Sequence, residues 1–199
     1  RKRFGKSLMK DTIKLAQCQQ KKLINFKLKR NVAMKKAKII SILADTHDNR
    51  INIQKSVDLF NQKNTCLVIH AGDIISPFTS LDFRHLNAPM EIVFGNNDGE
   101  KKGLIAAFKD IGTLASGPRE FSCEGKNFIL MHDDSRLSLF KQRKDVDVII
   151  FGHTHTPLIE KGTPLIINPG ECGGWVTSKA TVAILNIDTM AVEIVELPG

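Results

Sequence analysis

No stretch of the 199-residue chain approaches the roughly 18–20 consecutive apolar residues that a membrane-spanning helix requires, so that class of structure is excluded. Cysteine is sparse. Cys18, Cys66, Cys123 and Cys172 lack the close paired spacing of zinc knuckles or redox motifs, and nothing resembles a secretory signal. A reducing, cytoplasmic setting is therefore expected, with each thiol read as a small buried hydrophobe. Acidic residues are almost missing from residues 1–33, where Asp11 stands alone against eleven Lys or Arg, a local charge of +10. Because the whole chain carries +8, residues 34–199 carry −2, and the basic character belongs to the leading segment. A body so charged has no electrostatic basis for gripping nucleic acid. No internal repeat or low-complexity segment follows Met34, which sets repeat arrays aside.

What is present is an ordinary globular composition, 42% hydrophobic and 25% charged. Domains commonly run to roughly 100–150 residues, so the length suits one well-buried domain plus an appendage. The composition changes at Met34, where a Lys- and Gln-rich stretch gives way to the apolar run Lys38-Ile-Ile-Ser-Ile-Leu-Ala44, which divides the chain into residues 1–33 and 34–199. Met34-Lys-Lys-Ala also reads as a translation start. Residues 1–33 form a basic N-terminal extension open to three readings: an upstream read-through without function, a tail for nucleic acid or anionic lipid, or an organelle presequence. From Lys38 on, strands at 38–44, 66–70 and 90–94 alternate with helices predicted over 51–63, 76–86 and 101–110. The second half reads as strands near 120–124, 127–131, 147–151, 164–168, 181–187 and 191–196, with one short helix near 135–144. An α/β fold of two mixed sheets, packed face to face and flanked by helices, accounts for both halves.

Five short polar clusters follow the apolar strands: Asp45-Thr-His47-Asp-Asn49, Gly72-Asp73, Gly95-Asn-Asn-Asp98, Met131-His132 and Gly152-His-Thr-His155. Loops that leave the C-terminal ends of strands are where sites assemble in α/β sheets, so the clusters can converge. Their donors are two carboxylates, one amide and four imidazoles, a set suited to Zn, Mn, Fe or Ni rather than to Ca, which prefers all-oxygen cages. Each cluster alone is weak evidence; their order is far more specific.

Asp-x-His, Gly-Asp, Gly-Asn-x-Asp, a strand-end His and Gly-His-x-His, in that order, resemble the calcineurin-like metallophosphoesterases across residues 38–171. Gly95–Glu100 and Asn168–Cys172 are similar to signatures of the small, cap-less archaeal phosphodiesterases of that family. The resemblance implies a four-layer α/β/β/α sandwich over residues 34–199 and a centre holding two divalent ions (Mn, Ni, Fe, Co or Zn). It implies that Asp45, His47 and His155 hold one ion, that Asn96, His132 and His153 hold the other, and that Asp73 bridges them. Two such ions and two aspartates leave about +2, which attracts a phosphate, and a metal-bridging hydroxide is the implied nucleophile. The implied activity is phosphodiester hydrolysis on a small substrate, nucleotides included. The implied alternative is a scaffold like the retromer subunit of this fold, with little or no hydrolysis. Nucleic acid is a partner only if the basic segment is native, and a homo-oligomer stays open.

Asn97 and Asp98 are the candidate catalytic residues. Much of the family has His where this chain has Asn97, and an amide can donate a hydrogen bond to phosphate but no proton near neutral pH. Aryl diesters, with good leaving groups, are the substrates this favours. His132 is followed by Asp133 and Asp134 where the family usually has Gly and then His; these carboxylates repel phosphate, stay solvated, or help bind metal. Asp48 orients a ligand loop or caps a turn, His70 is structural, His85 is a solvated helix residue, and Trp175 borders the pocket or anchors its loop.

Overall fold

The computed structural model describes residues 38–199. The expected basic extension, residues 1–33, and its boundary at Met34 lie outside the described residues.

The first sheet contains β1 (Ile39–Leu43), β2 (Leu67–His70), β3 (Met90–Val93), β4 (Gly112–Ala115), β10 (Thr181–Asn186) and β11 (Ala191–Glu196), in the order β11-β10-β1-β2-β3-β4. β1 to β4 run parallel, and β10 and β11 close one edge antiparallel. The second sheet is β5 (Arg119–Cys123), β6 (Lys126–Leu130), β7 (Val148–Ile150), β9 (Leu165–Asn168) and β8 (Leu158–Glu160), with β6, β7 and β9 parallel between two antiparallel edges.

Side chains alternate across a strand, and that period sorts the core into layers. Ile40, Ile42 and Ala44 join Ile69 and Ala71 against Phe128, Leu130, Val148, Ile150 and Ile167, which seals the two sheets face to face. Leu43, Val68 and Ile92 point the other way, into a layer made by α1 (Arg50–Gln62), α2 (Ser80–Phe83) and α3 (Lys101–Phe108). α1 starts where the Asn49 side chain accepts the Asn52 N–H, and it buries Ile53, Val57 and Phe60 at the three-to-four spacing of one helix face. Outside the second sheet, Ile129, Met131, Ile149 and Phe151 pack beneath Leu137 and Phe140 of α4 (Leu137–Phe140), a thin fourth layer. The four-layer α/β/β/α arrangement follows the sequence reading.

Three details differ from it. β4 and β8 were not expected, because Gly-Thr-Leu-Ala and Leu-Ile-Glu are short edge segments whose pairing comes from a neighbour rather than from their own pattern. The helix expected over 76–86 is a 3-10 turn at Pro77–Thr79 followed by the four-residue α2. The helix expected near 135–144 contracts to Leu137–Phe140.

Candidate metal centre

All five clusters emerge at the C-terminal ends of parallel strands, three from the first sheet (after β1, β2 and β3) and two from the second (after β6 and β7). Backbone hydrogen bonds tie these loops together: Asp45 N–H donates to Gly72 O at 3.0 Å, His47 N–H to Asp73 O at 3.1 Å, and Gly152 N–H to His132 O at 2.9 Å. Two further bonds cross between the sheets, from His153 N–H to Asp45 Oδ2 at 3.0 Å and from His132 Nδ1 to Ala71 O at 2.8 Å. The glycines are close-approach positions. A Cβ on Gly152 would lie 2.8 Å from Asp45 Oδ2, and one on Gly95 would collide with the Asp73 carboxylate.

The donors converge. Asp73 Oδ2 lies 3.4 Å from His47 Nε2 and 3.5 Å from His132 Nε2, Asp45 Oδ1 lies 3.6 Å from His155 Nε2, and Asn96 Oδ1 lies 2.8 Å from His132 Nε2. Donor atoms of Asp45, His47 and His155 fall within 4.8 Å of one another, as do those of Asp45, Asp73 and His132. The His153 ring stacks edge-on against His132 with centroids 5.1 Å apart. All seven expected ligand residues therefore gather in one place, with Asp73 between His47 and His132. Asp45 is shared more widely than the sequence suggested, since it belongs to both groupings.

This arrangement is unfavourable for a bare protein and suits cations. Burial, reinforced by the Asp73 charge, pushes the Asp45 carboxyl up to about 8. Its Oδ1, His47 Nε2 and His155 Nδ1 are buried without a hydrogen-bond partner among the described residues, a condition that polar atoms rarely tolerate. His132 is the sharpest case. Burial holds its pKa below the usual imidazole value, and donation from Nδ1 to Ala71 O leaves Nε2 as a lone pair aimed at the oxygen of Asn96. Asn96 Oδ1 lies 2.8 Å from that nitrogen, so the two offer neighbouring oxygen and nitrogen donors to a cation. The residues fit divalent metal, with mixed nitrogen and oxygen donors.

The candidate catalytic pair is placed differently from what the sequence suggested. Asn97 donates from its backbone N–H to Asp73 Oδ1 at 2.8 Å and from Nδ2 to Asp73 Oδ2 at 2.7 Å, so its amide is engaged with the central aspartate. Asp98 is buried and accepts four backbone N–H groups, from Asp73 and Gly95 on Oδ2 and from Ile74 and Ile75 on Oδ1. Both of its oxygens are occupied in joining the Asp73 loop to the Asn96 loop, a bracing position.

The sequence reading marks Asn168–Cys172 as a family signature without giving a role to either of two residues in it that shape the centre. Glu171 is fully buried, accepts the N–H groups of Trp175, Val176 and Thr177, and lies 3.6 Å from His155 Nδ1. Burial alone would raise its carboxyl, but the backbone donors of Val176 and Thr177 hold it below the usual value. Asn168 donates to Gly152 O and Thr154 Oγ1, bracing the His153–His155 loop. Both stand in the Asn168-Pro-Gly-Glu171 segment after an apolar strand, the position that marked the other clusters. His70 is structural, as expected. It is fully buried, pushed down to about 3 chiefly by that burial, and bonded to Thr46 and to the Gly72 N–H. Asp48 accepts the Ser76 N–H, and His85 is exposed. Asp133 and Asp134 are exposed, with Asp133 Oδ1 accepting the Ser135 N–H in a local turn. Trp175 is both anchor and border: its indole N–H donates to His47 O at 3.0 Å while the ring stays 65% exposed.

The calcineurin-like phosphoesterase superfamily domain matches residues 39–190. The chain belongs to that superfamily. Phosphodiesterase MJ0936 of Methanocaldococcus jannaschii is 37% identical over 154 residues, which span 75% of this chain and 93% of that protein. A solved archaeal phosphodiesterase superposes with a TM-score of 0.76 at 35% identity, covering 80% of this chain and 99% of that one. Vps29 of Chaetomium thermophilum gives a TM-score of 0.59 at 16% identity, over 82% and 98% of the two chains, a likeness of fold alone. The chain is accordingly a phosphoesterase, a hydrolase from a metal-dependent family, and it carries candidate metal-binding groups. Among the described residues no helix is long and apolar enough to cross a membrane.

Proposed function

We propose that this phosphoesterase is a binuclear-metal-dependent phosphodiesterase acting on small diesters, nucleotides included. The observation that carries the reading is the placement of Asp73 Oδ2 between His47 Nε2 and His132 Nε2, beside buried donor atoms that lack any other partner. Asp45, His47 and His155 would hold one ion, Asn96, His132 and His153 the other, and Asp73 both. Bound divalent ions would supply positive charge and an ionised water at neutral pH.

The chain's own residues then have separable tasks. Asp73 is fixed by two hydrogen bonds from Asn97, so its oxygens keep their direction. Asp98 braces the loops that carry Asp73 and Asn96, and Glu171 places a buried carboxylate 3.6 Å behind His155 Nδ1. Without a histidine at position 97 no side chain there donates a proton to the departing oxygen, which favours diesters with good leaving groups.

The test is metal analysis of the purified chain, followed by assay on an aryl phosphodiester and an aryl phosphomonoester with added Mn, Ni, Co or Mg. Nearly two ions per chain are expected, with diester cleavage that depends on metal and falls by orders of magnitude in Asp73→Ala. A protein loaded with metal yet inert toward both esters would instead support the scaffold reading.

A further inference from the structure

At the end of the sheets opposite the metal centre, the N-terminal ends of β6, β7 and β9 face the turn between β10 and β11 across a cleft of about 650 Å³. Sites for small organic ligands run to roughly 300–1,000 Å³, so the volume is that of a binding site rather than a packing gap. Ile159 and Leu165 from the second sheet and Met190 and Val192 from the first supply apolar walls, and the exposed lining divides about evenly between apolar and polar atoms. Ile159, Met190 and Val192 pack against the core between the sheets, so the apolar half of the cleft continues that core outward. Among the described residues no aromatic ring lines it, and the flexible Met190 thioether is a wall that adapts to what lies against it.

Met190 is held there at a cost. Its φ is 56°, in the left-handed region that methionine seldom occupies. The turn imposes it: the Asn186 side chain accepts the N–H groups of Asp188 and Thr189 at 3.1 and 3.2 Å, and Thr189 Oγ1 accepts the Ala191 N–H at 3.3 Å. Glycine or asparagine would enter this conformation more readily, so what methionine adds is an apolar side chain at the cleft.

The charge of the rim is one-sided. Asp147 is the one acid lining the cleft among the described residues, and both its oxygens are engaged, Oδ1 with Lys126 Nζ at 3.0 Å and Oδ2 with the Asn127 N–H at 2.9 Å. Glu160, which leads into the Lys161 turn, is taken by Lys141 Nζ at 2.8 Å. Lys161 is exposed and has no ion-pair partner among the described residues, whereas Lys38, Lys126, Lys141 and Lys179 are each held by a carboxylate. An incoming anion therefore meets a spare cation and no spare carboxylate in the lining.

We propose that this cleft is a second ligand site, for a long-chain aliphatic carboxylate whose head lies at Lys161 and whose tail lies between the walls of the two sheets. It shares no residue with the metal centre, so its occupancy can be measured without turnover.

The experiment uses the full chain, metal-loaded, with ¹³C-labelled methionine methyl groups and dodecanoate kept below its micelle-forming concentration. Met190 lines the cleft, Met90 lies in the helical layer and reports the fold, and Met131 precedes His132 and reports the metal centre. Dodecanoate is expected to move the Met190 methyl resonance and leave those of Met90 and Met131 in place. Each methylene that becomes buried is worth roughly fourfold in affinity, so dodecanoate should bind at least roughly 10-fold more tightly than octanoate by calorimetry. Dodecyltrimethylammonium, with the same tail and the opposite charge, should bind more weakly than dodecanoate. Lys161→Glu, an exposed change, should weaken dodecanoate about fivefold and close the gap to the ammonium. Met190→Asn suits the turn and removes the wall, and it should weaken dodecanoate with Met90 and Met131 unshifted. Equal affinities for dodecanoate and octanoate, a shift at Met131 in place of Met190, or dodecanoate affinity unchanged in both variants would each overturn the site, whether or not the protein hydrolyses diesters.

Discussion

Replacing Asp98 by Asn separates bracing from chemistry at the residue that sequence alone placed among the catalytic candidates. Each carboxylate oxygen accepts two backbone N–H groups, at 2.8 and 2.7 Å from Ile74 and Ile75 and at 3.1 and 2.7 Å from Asp73 and Gly95. The new amide nitrogen must therefore confront two donors whichever way it turns. Two buried N–H groups left unpaired cost about 1–3 kcal/mol each, so a loss of about 2–6 kcal/mol is expected. Against a net stability of roughly 5–15 kcal/mol the variant still folds. A domain of this size shifts its Tm by roughly 2–4 °C per kcal/mol, which places the drop on the order of 10 °C. Because the clamp joins the Asp73 and Asn96 loops, metal affinity should fall about 10- to 100-fold, the usual effect of removing a partner behind a ligand. Urea unfolding of the metal-free protein reads the first quantity and competition with a chelating dye reads the second. If the Asp98→Asn variant leaves both within error while kcat collapses, Asp98 belongs to the chemistry and the bracing argument is wrong.

Gly152→Ala should displace Asp45, since the new Cβ would stand 2.7 Å from the Ala44 Cβ and 2.8 Å from Asp45 Oδ2; metal stoichiometry by elemental analysis should drop while far-UV circular dichroism stays native. Trp175 is the sole Trp of the chain and donates to His47 O, so Mn titration should quench its emission; a His47→Ala variant that quenches identically would detach the fluorophore from the centre. The hydrogen bond from Arg50 holds the Asp82 carboxyl below its usual value, with burial opposing and Gln54 assisting. A depressed folded pKa contributes stability that is fully present above the unfolded value of about 3.9 and is lost as pH falls through the folded one. Asp82→Asn should accordingly destabilise the protein near neutral pH and converge with wild type as pH drops below about 4, as followed by thermal unfolding.

The five clusters were legible because parallel strands deliver their C-terminal ends to one side of each sheet, and apolar runs such as Cys66-Leu-Val-Ile-His70 announce those ends. The edge strands β4 and β8 were not, since a three- or four-residue segment acquires its conformation from the neighbour it pairs with. The same distinction runs through the site. Donor identity is written in Asp45, His47 and Asp73, but a residue that acts by filling hydrogen bonds looks like any other polar residue until the loops are folded. Asp98 read as catalytic because it stands beside Asn97, and only its four backbone partners reveal that its oxygens are occupied. Glu171 stood in a recognised signature, but its role was hidden for the converse reason. Its neighbours in sequence are an Asn-Pro-Gly turn, while its neighbours in space are His155 and the Trp175 loop.

Backbone strain was the least legible property of all. Asp45, His47, Asp73, His153 and His155 have φ of 50°, 40°, 60°, 65° and 58°, so five of the seven proposed ligand residues occupy the left-handed region. Each such residue costs on the order of 1–3 kcal/mol and persists only where its surroundings over-determine it. Glycine would remove the strain and delete the donor; Asp and His carry donors and are among the non-glycine residues that enter this region more readily. The surroundings meet the requirement through bonds already described: Asp45 and His47 N–H groups bind the Asp73 loop, Asp73 N–H binds Asp98, and His153 N–H binds Asp45. These bonds are all made within the protein, from backbone N–H groups of the ligand loops to oxygens of neighbouring loops. A bound ion would add charge where buried oxygens and nitrogens lie close to one another.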